Sequence, residues 1–125
     1  MDYKQFIENN YKHTVAKTLS QLIDYVANNS SSGLYSFQMD GTKKFLSYKN
    51  LYLEAQKYAG ALIEQNIKGA LMICVEDSAS FYICLWACIL SGVIAVPLEP
   101  LRLSEINDKD YHRLAGISMQ FDNCA

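Results

Sequence analysis

The residues of this sequence that could hold a phosphate, a metal or a proton are few, and each can be weighed by type and spacing. The turn Glu76-Asp77-Ser78-Ala79-Ser80 sits between an apolar run and a helical pattern, where a parallel α/β unit often binds phosphate. It contains no glycine, so neither a dinucleotide fingerprint nor a P-loop is present, and Glu76 and Asp77 would repel an anion. Helix capping by Asp77 or Ser78 is the simpler role. Cys84 and Cys88 stand one helical turn apart and could share a metal, but a closed zinc site needs about four ligands. The remaining candidates, Cys74, Cys124, His13 and His112, fall at no metal-binding spacing, so packing as small hydrophobes is expected of the apolar-run thiols. His13 and His112 lack a partnered nucleophile. Glu105, Asp108 and Asp110 read as a solvated acidic loop, with no apolar setting to raise a carboxyl for acid-base work. Tyr48, Tyr52, Tyr58, Phe81, Tyr82 and Trp86 recur at helical spacing, which predicts core rather than ligand stacking. The expectation is a chain with no catalytic, cofactor-binding or metal-binding residue of its own.

What the elements can be is bounded by the bulk properties. At 125 residues and 50% hydrophobic, the chain can build one domain with a real core. Eleven Lys plus Arg against 13 Asp plus Glu gives a formal charge of -2, without the clustered cations that nucleic acid or an acidic membrane surface requires. Met1 to Ser20 has no apolar run long enough for a secretory signal, and the four cysteines fit a reducing cytoplasm. Ser78 to Leu98 carries no charge and is long enough to suggest a membrane span. Ser91-Gly92 interrupts it as a helix stop, Val93-Ile94-Ala95-Val96 are β-formers ending in a proline, and the flanks are acidic. A buried helix followed by a buried strand is predicted instead.

Along the chain, Asp2 to Asn10 and His13 to Asn28 have helical character. In the second, Val15, Leu19, Leu22, Ile23 and Val26 form one stripe, with Thr14 or Thr18 as cap. The Asn/Ser run to Gly33 ends it. Leu34 to Gln38 and Lys44 to Tyr48 flank Asp40-Gly41 and predict a hairpin, since both central turn residues tolerate positive φ. Ser47 can cap a helix whose apolar face is Leu51, Ala55, Tyr58, Ala59, Leu62 and Ile63, closing near Gln65-Asn66. Ala70 to Val75 predicts a strand covered on both faces, Ala79 to Leu90 a helix apolar nearly all round, and Val93 to Leu98 a second strand. These three make a βαβ unit. A last helix is predicted over Tyr111 to Ile117.

Three patterns in succession carry a family resemblance. Phe45-Leu46-Ser47-Tyr48-Lys49-Asn50-Leu51 runs into Ala55 and Ala59-Gly60-Ala61-Leu62. Leu71 to Phe81 gives a strand, a small polar pair and an aromatic. Trp86 to Pro100 reads Ala87, Ile89, Gly92, then Val96-Pro97-Leu98-Glu99-Pro100. Together, in this order, they resemble the opening segment of adenylate-forming enzymes, the acyl- and aminoacyl-AMP ligases. The tail, Pro100-Leu101-Arg102 with Arg113-Leu114-Ala115-Gly116-Ile117 and Asp122, is similar to fatty acyl-AMP ligases and to the loading or adenylation domains of polyketide and nonribosomal peptide synthases. The chain departs from the family where Ile67-Lys68-Gly69-Ala70 stands in place of a Gly-Asp pair.

The resemblance implies an α/β fold: part of the family's N-terminal domain, with residues 1–17 a helical lead-in and 18–125 the first part of the AMP-binding domain. The family's phosphate loop, adenine and ribose motifs and catalytic lysine lie further along and have no counterpart here. What it implies for a full-length protein is joining of a carboxylate to AMP from ATP with Mg²⁺. Transfer to a phosphopantetheine thiol, on an acyl carrier protein or coenzyme A, would follow. This segment would be inactive alone, would pack against the remainder of the domain, and its uncovered apolar surface would favour self-association. Two other readings stay open: a stand-alone, non-catalytic docking or interaction module of a synthase assembly, and a small doubly wound nucleotide-binding domain.

Overall fold

A computed structural model of the chain describes residues 16–101 and 105–125. Its elements are α1 (Leu19–Asn29), β1 (Gly33–Phe37), β2 (Lys43–Ser47), α2 (Tyr48–Glu64), β3 (Ala70–Ile73), α3 (Ser78–Ser91), β4 (Ile94–Pro97) and α4 (Asp108–Ser118). The chain is α/β, with an antiparallel hairpin and a parallel β3–α3–β4 unit flanked by helices, as the sequence predicts. The predicted helix over Asp2 to Asn10 lies outside the described residues, as do His13, Thr14 and Arg102.

Most helix ends follow from local chemistry. Ala16 and Lys17 are not helical, so α1 starts later than its apolar stripe suggests. Thr18 caps it by accepting a hydrogen bond from the Gln21 N–H at 3.1 Å. Ser47 does the same for α2 through the Asn50 N–H, also at 3.1 Å. At the other end of α2, Asn66 takes φ 55°, the Ile67 N–H donates to the Leu62 carbonyl at 2.9 Å and the Asn66 N–H to the Ile63 carbonyl at 3.0 Å. This is a Schellman motif, with Asn in the left-handed position usually given to Gly. α3 ends on Gly92 at φ 73°, and the Val93 N–H donates to the Cys88 carbonyl at 2.9 Å.

The hairpin forms as predicted, and its turn uses only one of the two residues that tolerate positive φ. Gln38 N–H donates to Thr42 C=O at 2.7 Å and Gly41 N–H to Gln38 C=O at 3.0 Å; within the turn only Gly41 has positive φ. The loop is therefore three residues, with glycine at the bulge position, and Asp40 need not leave negative φ. Its carboxylate instead accepts from the Thr42 N–H at 2.9 Å and the Thr42 hydroxyl at 2.6 Å, which hold its pKa below the usual carboxylate value.

β3 and β4 pair in parallel from Ala70↔Ile94 to Ile73↔Pro97. On β3's other edge lies a third line of chain, Asn123 to Ala125, bridged in parallel at Cys124. Ala70 N–H donates to Asn123 C=O at 2.7 Å, Ala125 N–H to Ala70 C=O and Met72 N–H to Ala125 C=O, both at 2.8 Å. β3 is thus central. The core lies between this sheet, α2 and α3: Ile73, Cys88 and Val93 are buried, with Leu62, Leu71, Val75, Phe81, Cys84 and Ala95 packed against them. Coverage is less complete than the apolar runs predict. Only Ala87 and Cys88 of α3 are fully buried, and Ile94 of β4 is 55% exposed.

Candidate functional site

Each residue weighed for chemistry can now be placed. The turn between β3 and α3 is organised by Asp77, whose carboxylate accepts from the Ser80 N–H and the Ser80 hydroxyl, both at 2.8 Å. Those two bonds lower its pKa, and Gln38 and Lys44 of the hairpin end add to the effect. The amide that could have held a phosphate oxygen is occupied by the chain's own carboxylate. These residues do not fit a triphosphate.

The thiols divide by depth. Cys88 is fully buried and Cys84 partly so, and burial raises both pKa values. That keeps them protonated and inert, as packing groups are. Cys74 at the end of β3 and Cys124 beside Ala70 are partly exposed. Among the described residues no three His, Cys, Asp or Glu side chains gather as metal ligands would. His112 is exposed on α4, and its neighbour Arg113 reaches Glu99 at 3.7 Å, an exposed pair worth little.

The acidic stretch is not the solvated loop that was expected. Asp108 and Asp110 form the first turn of α4, and Asn107 is its cap. Asn107 Oδ1 accepts from the Asp110 N–H at 3.1 Å while the Asp110 carboxylate accepts from the Asn107 N–H at 3.2 Å. This reciprocal capping box puts negative charge at the helix N-terminus. Its signal was readable, since a polar residue three before an acid marks a helix start.

One site was missed altogether. A groove of about 650 Å³ opens between α1, the hairpin, α2 and α3. Leu22, Ile23 and Val26 of α1 form one wall, Leu34 and Tyr35 of β1 another, and Tyr48 and Leu51 of α2 the floor. Tyr82 and Trp86 of α3 line the remaining side. Sequence spacing put Tyr48, Tyr82 and Trp86 in the core; they face an opening instead. Among the described residues no lining side chain is charged. Next to it the hairpin's outer surface is aromatic: the Tyr35 and Phe45 rings lie 5.1 Å apart, Lys43 Nζ sits 4.7 Å over Tyr35, and Phe37 is 74% exposed. The groove offers apolar surface and hydroxyls, with no nucleophile and base held together. Chemically it can bind; nothing in it is arranged to react.

No protein family model matches the sequence. Solved structures do. The McyG A-PCP structure complexed with phenylalanyl-adenylate is 26% identical, with a TM-score of 0.75 over 86% of this chain and 17% of that one. Fatty acyl-adenylate ligases from E. coli and L. pneumophila give 28% identity and a TM-score of 0.70 over 84% of this chain and 19% of that one. The adenylation domain of a keto acid-selecting NRPS module, bound to keto acyl adenylate, shares the fold at 17% identity, with a TM-score of 0.71 over 83% of this chain and 20% of that one. The chain therefore has the architecture of the N-terminal region of adenylate-forming enzymes. It spans only 17% to 20% of the length of these relatives. Among the described residues no helix is long and apolar enough to cross a membrane, so the uncharged run is the helix and strand predicted for it.

Proposed function

We propose that this chain is the opening segment of an ATP-dependent, acid-activating ligase of the cytoplasm. Residues 1–17 are its lead-in and 18–125 the first part of its AMP-binding domain. The observation that carries the reading is the match to the McyG and fatty acyl-adenylate ligase structures. It covers 84% to 86% of this chain at 26% to 28% identity. The complete ligase joins a carboxylate to AMP, with ATP and Mg²⁺ held by residues elsewhere in the polypeptide. It then passes the acyl group to a phosphopantetheine thiol of a carrier protein or coenzyme A. The present residues contribute packing: an apolar helix, α3, and a sheet that take their place in a larger core. A helix hydrophobic on all sides belongs in such a core, and α3 is only partly covered here.

The test is to recover the native polypeptide with an antibody raised against residues 16–125, then measure its mass and its acid-dependent exchange of pyrophosphate into ATP. A polypeptide several times heavier than the 14.1 kDa of this chain, active in exchange, is expected. The isolated 125 residues should show no exchange. A native species of 14.1 kDa would overturn the reading and leave the chain a stand-alone docking module.

A further inference from the structure

The pair that marks the hairpin, Asp40-Gly41, is also the kind of dipeptide at which a polypeptide most readily rearranges its own backbone. Asp40 is the only Asp or Asn of the sequence followed by glycine. Without a Cβ at Gly41, nothing on that residue shields its nitrogen from the neighbouring carboxyl. The Gly41 nitrogen can then attack Asp40 Cγ. A C–N bond forms, the amide proton and the carboxyl hydroxyl leave as water, and a succinimide ring closes. Water reopens the ring at one of its two C–N bonds. Breaking the new bond restores Asp40. Breaking the bond from the Gly41 nitrogen to the main-chain carbonyl of Asp40 leaves isoaspartate, whose chain runs through the side chain and whose mass is unchanged. Water is the only other reactant.

The folded turn holds both reacting groups back. The Gly41 N–H donates to the Gln38 carbonyl at 3.0 Å, so the attacking nitrogen is engaged within the turn. Asp40 Oδ1 accepts from the Thr42 hydroxyl at 2.6 Å and from the Thr42 N–H at 2.9 Å, an Asx-turn directed at the residue beyond Gly41. These bonds, the hydroxyl's first, lower the pKa of the carboxyl, so that fewer copies carry the proton with which its hydroxyl must leave. The Gln38 N–H donates to the Thr42 carbonyl at 2.7 Å and closes the loop over these contacts. We propose that Asp40 is a latent isoaspartate site, that the closed turn is its guard, and that rearrangement proceeds from the open hairpin. The product does not fit the turn it came from. Isoaspartate puts one more carbon into the main chain between Met39 and Gly41, and the carboxylate that held Thr42 becomes part of that main chain. Chains that spend longest with the hairpin open therefore collect the modification, whether the native polypeptide is this chain or a longer one.

The test is a long incubation at neutral pH of three samples: the 125-residue chain, its Thr42→Val variant, and a synthetic peptide of residues 36–44, too short to hold a hairpin. Liquid chromatography separates isoaspartyl from aspartyl peptides after digestion, and electron-transfer fragmentation places the change at residue 40. The chain is expected to form isoaspartate at least about ten-fold more slowly than the peptide, because the turn must first open. Thr42→Val keeps the backbone bond and loses the hydroxyl, and it should react about three-fold faster than the parent chain, the worth of one weak hydrogen bond. A parent chain that reacts as fast as the peptide overturns the proposal. So does a variant that reacts as slowly as the parent. Hydrogen exchange at the Gln38 amide reports whether the variant's turn is closed. A variant whose Gln38 amide exchanges as freely as the peptide's has lost the turn and must react at the peptide's rate; a slower reaction there overturns the proposal as well.

Discussion

The two sides of α3 have nearly the same chemistry and opposite fates. Ala87 and Cys88 are fully buried, Cys88 in one cluster with Ile73 and Val93. Tyr82 and Trp86, on the other side, are just as apolar in character and line an open groove. Hydrophobicity says that a surface gains by leaving water. It does not say whether the residues that will cover it are within reach, and on one side of α3 they are not among those described.

The sharpest way to break that comparison is to truncate one large side chain on each side in the 125-residue chain. Ile73→Ala removes a side chain that is 3% exposed and leaves a cavity in the closed cluster. It should cost about 3 kcal/mol in urea unfolding. Tyr82→Ala, at a residue 42% exposed, should cost less than about 1 kcal/mol. Equal losses would mean that the groove side is packed as tightly as the core, and the contrast would be wrong.

A second contrast separates local from distant demands on glycine. Gly69 has φ 86°, and a Cβ there would come within 2.3 Å of the Asn123 carbonyl oxygen. Gly92 has φ 73° and open space around the missing Cβ. Gly69→Ala should therefore cost about 2 kcal/mol and expose the Met72 amide to hydrogen exchange, because the third line of the sheet must move. Gly92→Ala should cost about 1 kcal/mol, the backbone penalty alone. If Met72 stays protected in Gly69→Ala, the Asn123–Ala125 segment tolerates the intrusion and is not held in register by that close approach.

The same distinction explains what could be read from the amino acids. The roles of Thr18, Ser47, Asp77 and Gly92 were legible because each acts within four residues of itself, through one hydrogen bond or one dihedral angle. Asp40-Gly41 marked the hairpin, and the apolar runs marked β3, α3 and β4. What escaped was either a local pattern passed over, as at Asn107 and Asp110, or a long-range event. Cys124 beside Ala70 joins positions separated by two helices and a strand, and no periodicity announces it. The groove escaped for the same reason: helical spacing placed Tyr48, Tyr82 and Trp86 on apolar faces, and whether a face is filled depends on four elements meeting.

The smallest effect concerns the junction where hairpin and βαβ unit touch. Asp77 caps α3, and its pKa is lowered chiefly by the Ser80 N–H and then by the Ser80 hydroxyl. A carboxyl with a depressed folded value contributes stability that is fully present above its unfolded value, near 3.9. That contribution is lost as pH falls through the folded value. Asp77→Ala should thus cost about 1 kcal/mol at neutral pH, the usual effect of losing a cap. The difference between it and the parent chain should shrink as the pH drops below about 4. Asp77 is largely solvent-exposed, so the charged part of this effect is screened and should weaken further in salt, while the hydrogen-bond part persists. Asp77→Asn separates the two, since an amide oxygen can still accept from Ser80 but carries no charge. Were Asp77→Asn as destabilising as Asp77→Ala, the carboxylate's charge would carry the whole effect and the neutral hydrogen bond none of it. A loss that does not change with pH would show the reverse, that the charge contributes nothing.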